Sequence, residues 1–240
     1  MGGKTAIITG GSRGIGRAIA EELADMGYNL VLVAKDKKRL EKTSEEIRKK
    51  YKKNMEIFPC DLSDTKDIDS FIKFCATLEI VPDVLVNNAG TFIGGSTESA
   101  TLESYDKLQA LNMRGIFYLT QKLLPLIRKG KEKRIVIIST VRALDHYPGG
   151  DSGAIYAISK WGLRGWARSL REEVRKYKIG VTVIYPGAVF TDIWEGTQTP
   201  KEQFITPSDI AKGIRASLSV GSQTVIEEMT IMPLVGNITE

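Results

Sequence analysis

Tyr156 and Lys160 stand four residues apart in the run Tyr-Ala-Ile-Ser-Lys, a spacing that projects both side chains from one face of a helix. A free tyrosine ionises near pH ~10, so its phenol exchanges a proton near neutrality only if something favours the phenolate. An ammonium one turn away does this. The pair therefore reads as a proton donor and acceptor with its own electrostatic partner, although Tyr-x-x-x-Lys alone also occurs on helices that do no chemistry. A third polar group comes from Ser139-Thr140-Val141, which closes an apolar run. Its hydroxyls can donate and accept, but neighbours on a strand point to opposite faces, so only one of them can meet the tyrosine.

A second cluster lies near the start of the chain. Thr9-Gly10-Gly11-Ser12-Arg13-Gly14-Ile15-Gly16 follows a β-branched run and opens a stretch with an apolar helical face. Glycines there permit positive φ and let backbone N–H groups approach a pyrophosphate at the positive end of the helix. A glycine-rich turn that binds nothing is the alternative for this segment alone.

These residues need a scaffold, and the hydrophobic pattern supplies one. Short apolar runs at Thr5–Thr9, Leu30–Ala34, Met55–Pro59, Val84–Asn87, Arg134–Thr140, Gly180–Tyr185 and Thr224–Met232 read as strands. Amphipathic stretches at Gly14–Met26, Lys37–Tyr51, Thr65–Leu78, Leu102–Arg128, Ala154–Tyr177 and Pro207–Ser219 read as helices. Strict alternation of the two predicts an α/β fold: a Rossmann-like, doubly wound, seven-stranded parallel sheet with helices on both faces. No repeat, linker or low-complexity segment interrupts the order, so residues 1–240 are expected to form one dinucleotide-binding catalytic domain.

In this order the motifs resemble the short-chain dehydrogenase/reductase family. The glycine segment matches its Thr-Gly-x-x-x-Gly-x-Gly fingerprint, Asn87-Asn88-Ala89-Gly90 matches its Asn-Asn-Ala-Gly, and Tyr156 with Lys160 matches its Tyr-x-x-x-Lys. The resemblance runs from Lys4 to about Met232. It implies a nicotinamide dinucleotide held by Gly10, Ser12, Arg13, Gly14, Ile15 and Gly16, with Asp61 and Leu62 at the adenine and Asn88, Ala89 and Gly90 beside the groove. It also implies that Pro186, Gly187 and Val189 grip the nicotinamide carboxamide, that Thr191 reaches the cofactor, and that residues 190–206 form a substrate loop.

The same resemblance implies roles for the catalytic group. Tyr156 would exchange the proton, and Lys160 would bind the nicotinamide ribose and assist the tyrosine together with the positive oxidised nicotinamide. Asn112, in a helix interior that asparagine disfavours, would hold a water that relays protons from the lysine to solvent, through a local helix irregularity. The usual serine is replaced, because the second residue of the family triplet is Thr140 here; Ser139 is the alternative if the strand end is shifted. The stretch from Thr140 to Tyr156 is also longer than the family norm, adding a turn-rich loop that contains His146, the single histidine. A lone loop histidine reads as a polar surface residue.

Cofactor choice turns on Val33-Ala34-Lys35-Asp36. A carboxylate there accepts from a ribose 2′-OH, whereas a cation pairs with a 2′-phosphate. Lys35 stands at the family's NADP-type cation position and Arg13 is a second cation, so NADP(H) is expected over NAD(H). Asp36 dissents, and it reads as a solvated residue at a helix start.

Bulk properties bound the rest. The chain has 240 residues, a net charge of +5 and dispersed lysines, which favours solvated faces over a nucleic-acid partner. Cys60 and Cys75 follow no metal or redox spacing, and no metal is implied. No apolar run approaches the ~20 residues of a membrane span, and a soluble cytoplasmic protein is the expectation. The function expected is reversible hydride transfer between NADP(H) and a carbonyl or secondary alcohol, most simply ketone or aldehyde reduction. The rivals are an NAD-dependent alcohol dehydrogenase and a non-catalytic dinucleotide sensor. By resemblance, a homodimer or homotetramer would form through the long helices, where Trp161 and Trp166 are candidate contacts.

Overall fold

Apolar runs with no polar face demand cover on both sides, and the central strands show why. In the computed structural model, which describes residues 3–145 and 153–238, β1 (Thr5–Thr9) and β5 (Arg134–Ile138) are buried at every position. They are joined by β2 (Asn29–Ala34), β3 (Met55–Pro59), β4 (Val84–Asn87), β6 (Gly180–Pro186) and β7 (Glu228–Ile231). All pairings are parallel, in the order β3-β2-β1-β4-β5-β6-β7. The expected doubly wound sheet is what forms.

The helices are α1 (Gly14–Asp25), α2 (Lys37–Tyr51), α3 (Thr65–Thr77), α4 (Leu102–Gln109), α5 (Ile116–Ile127), α6 (Ala154–Arg175) and α7 (Pro207–Leu218). Alternate strand residues divide between two cores, as the two-residue period of a strand requires. Ile7, Val31, Leu85 and Ile135 pack with α3, α5 and α6. Ala6, Ile8, Leu32 and Val136 pack with α1, α2 and α7. Strand order reverses between β1 and β4, and in open α/β sheets that reversal leaves a crevice at the carboxyl ends of the strands.

Several element boundaries differ from those expected. The helix expected over Leu102–Arg128 is broken by a π-helical turn at Ala110–Gly115. Asn112 exchanges two hydrogen bonds with the Thr91 backbone, each 2.9 Å, from inside that wider turn. Gly115 lets the turn lie on the chain after β3, since a methyl group there would stand 2.0 Å from the Leu62 carbonyl oxygen. Strand β5 stops at Ile138, two residues early, because Thr140 begins a 3-10 turn at Val141–Ala143 and accepts from the Arg142 N–H at 3.4 Å. Strand β7 covers only Glu228–Ile231 of the expected Thr224–Met232, the part registered against Val183–Pro186.

Candidate active site

The glycine segment crosses from β1 to α1 at the reversal point. Gly10 and Gly14 adopt φ of +65° and +52°, the left-handed region that glycine enters without strain. A methyl group on Gly16 would lie 2.1 Å from the Gly10 carbonyl oxygen, so the loop folds directly onto the first turn of α1. Thr9 and Asn88 brace it: the Thr9 hydroxyl accepts from the N–H groups of Asn88 and Ala89, and Asn88 Nδ2 donates to the Thr9 carbonyl at 2.9 Å. Asn88 thus supports the loop from behind. Thr43 of α2 adds a bond to the Ser12 carbonyl at 2.9 Å. No side chain caps the N-terminus of α1 and no acid occupies its first turn, leaving its N–H groups suited to an anion.

Cations gather at the far side of this loop. Arg13 pairs with Asp192, and Arg39 Nη1 lies 3.6 Å from the same carboxylate. Lys35 Nζ donates to Asp61 Oδ2 at 2.6 Å. Burial alone would raise the Asp61 pKa, but Lys35 and Ser63 outweigh it and hold the carboxyl below its ordinary value. Asp36 is the N-cap of α2, accepting from the Arg39 N–H at 3.0 Å, which explains an acid here without a ribose ligand. Arg39 and Asp192 are additions that the sequence reading missed. Arg39 was one basic residue among several at the start of α2, and Asp192 meets it only through the tertiary fold.

Thr140, Tyr156, Lys160 and Asn112 converge at the carboxyl ends of β4 and β5. The Thr140 hydroxyl acts on the Tyr156 phenol, favouring its ionised form. Ser139 turns away, its hydroxyl 3.5 Å from the Lys160 carbonyl. Lys160 Nζ donates to the Ile138 carbonyl at 3.2 Å and sits 5.7 Å from the centre of the Tyr156 ring. A methyl group on Gly90 would touch both Asn112 Oδ1, at 3.3 Å, and Lys160 Nζ, at 3.6 Å, so these groups share one corner. Asn112 is fully buried, and its Nδ2 also reaches Ser159 Oγ at 3.3 Å.

The electrostatics are sharper than the sequence reading. Burial pushes the Tyr156 phenol up to about 12, with the Thr140 hydroxyl and the Arg142 charge pulling the other way. Burial brings the Lys160 ammonium down to about 8. Phe92 packs edge-on against the Tyr156 ring, with centroids 5.1 Å apart. Neither Arg142 nor Phe92 was singled out from the sequence. His146 and the loop through Ser152 lie outside the described residues.

After β6, Pro186 pairs with Ile231 and the Gly187 N–H donates to the Ile231 carbonyl at 2.8 Å. Val189 bridges Ile205, which ties together the two ends of the segment between them. Within it Phe190, Phe204 and Trp194 form an aromatic cluster, with centroid separations of 5.5 and 4.9 Å. Ile193 stays two-thirds exposed, at 66%. Thr191 lies over the glycine loop, 3.4 Å from where a methyl group on Gly14 would be.

A glycine loop thus lies at the strand-order reversal, and a tyrosine, lysine, threonine and asparagine gather at the adjoining strand ends. Residues 4–202 match the short chain dehydrogenase family, and the chain belongs to it. A sepiapterin reductase from Chlorobaculum tepidum is 32% identical over 98% of both chains. An alcohol dehydrogenase from the archaeon Thermococcus sibiricus, solved with 5-hydroxy-NADP, superposes with a TM-score of 0.88 at 26% identity over 99% of both chains. A metagenomic short-chain oxidoreductase in complex with NADP superposes with a TM-score of 0.81 at 32% identity, covering 96% of each chain.

Proposed function

We propose that this protein is an NADP(H)-dependent carbonyl reductase that interconverts a ketone or aldehyde with its alcohol. The observation that carries this reading is the gathering of the Thr140 hydroxyl and the Tyr156 phenol beside buried Lys160 and Asn112. A protein that only sensed dinucleotide would need the glycine loop but not this group. NADP-bound relatives of the same fold support the cofactor, as do Arg13, Lys35 and Arg39 beside the loop.

The residues fit the dinucleotide on this chain's own features. The uncapped N-terminus of α1 and Gly10, Ser12, Arg13, Gly14, Ile15 and Gly16 would hold the pyrophosphate. Arg13, Lys35 and Arg39 would take the 2′-phosphate, where two or more cations suit a dianion better than a hydroxyl. Asp61 and Leu62 would border the adenine. Ala89, Gly90, Pro186, Gly187, Val189 and Thr191 would line the nicotinamide half, with Asn88 holding the loop in shape.

NADPH held by these residues would supply a hydride to the carbonyl carbon. Thr140 and Tyr156 donate to the carbonyl oxygen, which stabilises the negative charge that develops there. Tyr156 then gives that oxygen its proton. Lys160 favours the phenolate left behind, and Asn112 anchors the route by which a proton returns. The aromatic segment 190–206 would close over the substrate.

The test is NADPH oxidation with a panel of ketones, aldehydes and diketones. Turnover in the panel supports the reading; tight NADPH binding with no turnover would favour the dinucleotide sensor instead. Two further parts of the reading are a homo-oligomer formed through α5 and α6 and a cytoplasmic location. Phe117 and Trp161 support the first, both more than two-fifths exposed, with Phe117 stacked edge-on against Trp166 at 5.9 Å. The free buried thiols Cys60 and Cys75 are compatible with the second. Mass measurement in solution checks the oligomer.

A further inference from the structure

Arg142 stands two residues after Thr140, in the 3-10 turn Val141–Ala143 that follows β5. Its backbone N–H donates to Thr140 Oγ1 at 3.4 Å, which fixes its start point against the reacting hydroxyl. Its guanidinium extends toward the first turn of α6. A methyl group on Gly153 would stand 3.1 Å from Arg142 Nη1 and 3.4 Å from the Phe92 ring. Gly153 is the N-cap of α6, three residues before Tyr156, and Phe92 itself meets the Tyr156 ring at 75°. A guanidinium, an aromatic ring and the proton-donating phenol therefore share one corner. Arg142 is half-buried, and Phe92 keeps 36% of its surface exposed.

The proton chemistry proposed above does not need this guanidinium, because Lys160 already provides a cation one helical turn from Tyr156. A planar fork of N–H donors matches a carboxylate in two parallel hydrogen bonds, which an ammonium cannot do. Arg142 has an interaction of its own within the protein, and five N–H donors allow a guanidinium to keep such a contact while binding a ligand. Phe92 adds an apolar wall to the same corner, suited to an aryl or alkyl group.

We infer that Arg142 is the anion-binding residue of the substrate site, so that the favoured carbonyl compound carries a carboxylate beside the reacting carbon, as in an aryl or alkyl 2-oxo acid. The inference rests on the reductase reading. In that reaction the carbonyl carbon gains the hydride of NADPH and the oxygen gains the Tyr156 proton, giving a 2-hydroxy acid and NADP+. The carboxylate is unchanged and serves only to hold the carbonyl in place.

Benzoylformate and its methyl ester share a phenyl group and a ketone and differ only in the charge. The kcat/KM of each with NADPH should be measured for the wild type, Arg142→Gln and Arg142→Lys. The wild type should favour the acid, and Arg142→Gln should lower the acid-to-ester ratio by roughly thirtyfold, as expected for loss of a charged hydrogen-bonded pair. Arg142→Lys should retain part of that ratio. A wild-type preference for the ester, or an equal fall for both substrates in Arg142→Gln, would overturn the inference. A second readout needs no turnover: thermal stabilisation of the NADP+-loaded protein by mandelate and by mandelamide. Mandelate should stabilise the wild type more than mandelamide does, and Arg142→Gln should lose the difference; equal shifts in the wild type would count against an anion site. Arg142-dependent mandelate binding with neither ketone reduced would sink the reductase reading and leave the anion site standing.

Discussion

Thr140 presents its hydroxyl to the Tyr156 phenol and favours the ionised form of that phenol. Its neighbour Ser139 is buried and faces the Lys160 carbonyl instead. If Thr140 steadies the carbonyl oxygen during hydride transfer, Thr140→Ala should lower kcat by about 100-fold or more, the scale seen when one such donor is removed. Thr140→Ser should keep most of the rate, and Ser139→Ala should change it little. Steady-state kinetics of the three variants decide the matter, and a severe loss in Ser139→Ala alone would transfer the role.

Lys160 is buried with its pKa brought down to about 8 from an ordinary 10.5. The folded state therefore holds this proton less tightly than the unfolded chain. The contribution to stability is fully present above pH 10.5, the unfolded value, and is lost as pH falls through about 8. The 2.5-unit difference corresponds to about 3 kcal/mol of strain at neutral pH. Lys160→Met should consequently raise the melting temperature at pH 7 in the absence of dinucleotide while activity collapses. Tyr156 bends the wild-type curve the other way above pH 10, since its folded value is raised to about 12. Wild-type stability relative to Lys160→Met should thus climb between pH 8 and pH 10, measured by denaturant titration.

Gly16 has no room for a side chain, given the 2.1 Å that would separate a methyl group from the Gly10 carbonyl oxygen. Gly16→Ala should destabilise the fold by about 1 to 3 kcal/mol, as overpacking does. It should also weaken NADPH binding by at least roughly tenfold, because displacing Gly10 moves the backbone donors of the loop. Thermal unfolding and NADPH fluorescence titration measure the two effects separately.

Arg13, Lys35 and Arg39 carry the choice of cofactor in this account. Arg13→Ala combined with Lys35→Ala should raise the KM for NADPH by about tenfold or more and leave that for NADH nearly unchanged, since only one of the two carries the 2′-phosphate. Equal losses for both cofactors would move these cations from specificity to general structure.

The architecture was legible because parallel strands buried on both faces must be continuous apolar runs, and the first five-residue run, Thr5–Thr9, has the boundaries expected of it. The glycine loop and the Tyr156–Lys160 spacing were legible because both depend on local geometry. The π-helical turn at Ala110–Gly115 was legible only as the helix irregularity that the family resemblance implies at Asn112; its form was not, because Thr91 and Leu62 shape it from other loops. Arg39, Asp192, Phe92 and Arg142 escaped for a similar reason. Each is unremarkable among its sequence neighbours and acquires a partner only when β2, β4, β5 and β6 end on the same side of the sheet.

Tyr156→Phe removes one oxygen, the one assigned to proton donation, and leaves the ring that packs against Phe92. NADPH affinity and melting temperature should stay close to wild type, while kcat with any ketone reduced by the wild type should fall by about 1,000-fold, the combined loss of an acid and an oxyanion donor. Near-normal turnover in Tyr156→Phe would mean that another group protonates the carbonyl oxygen.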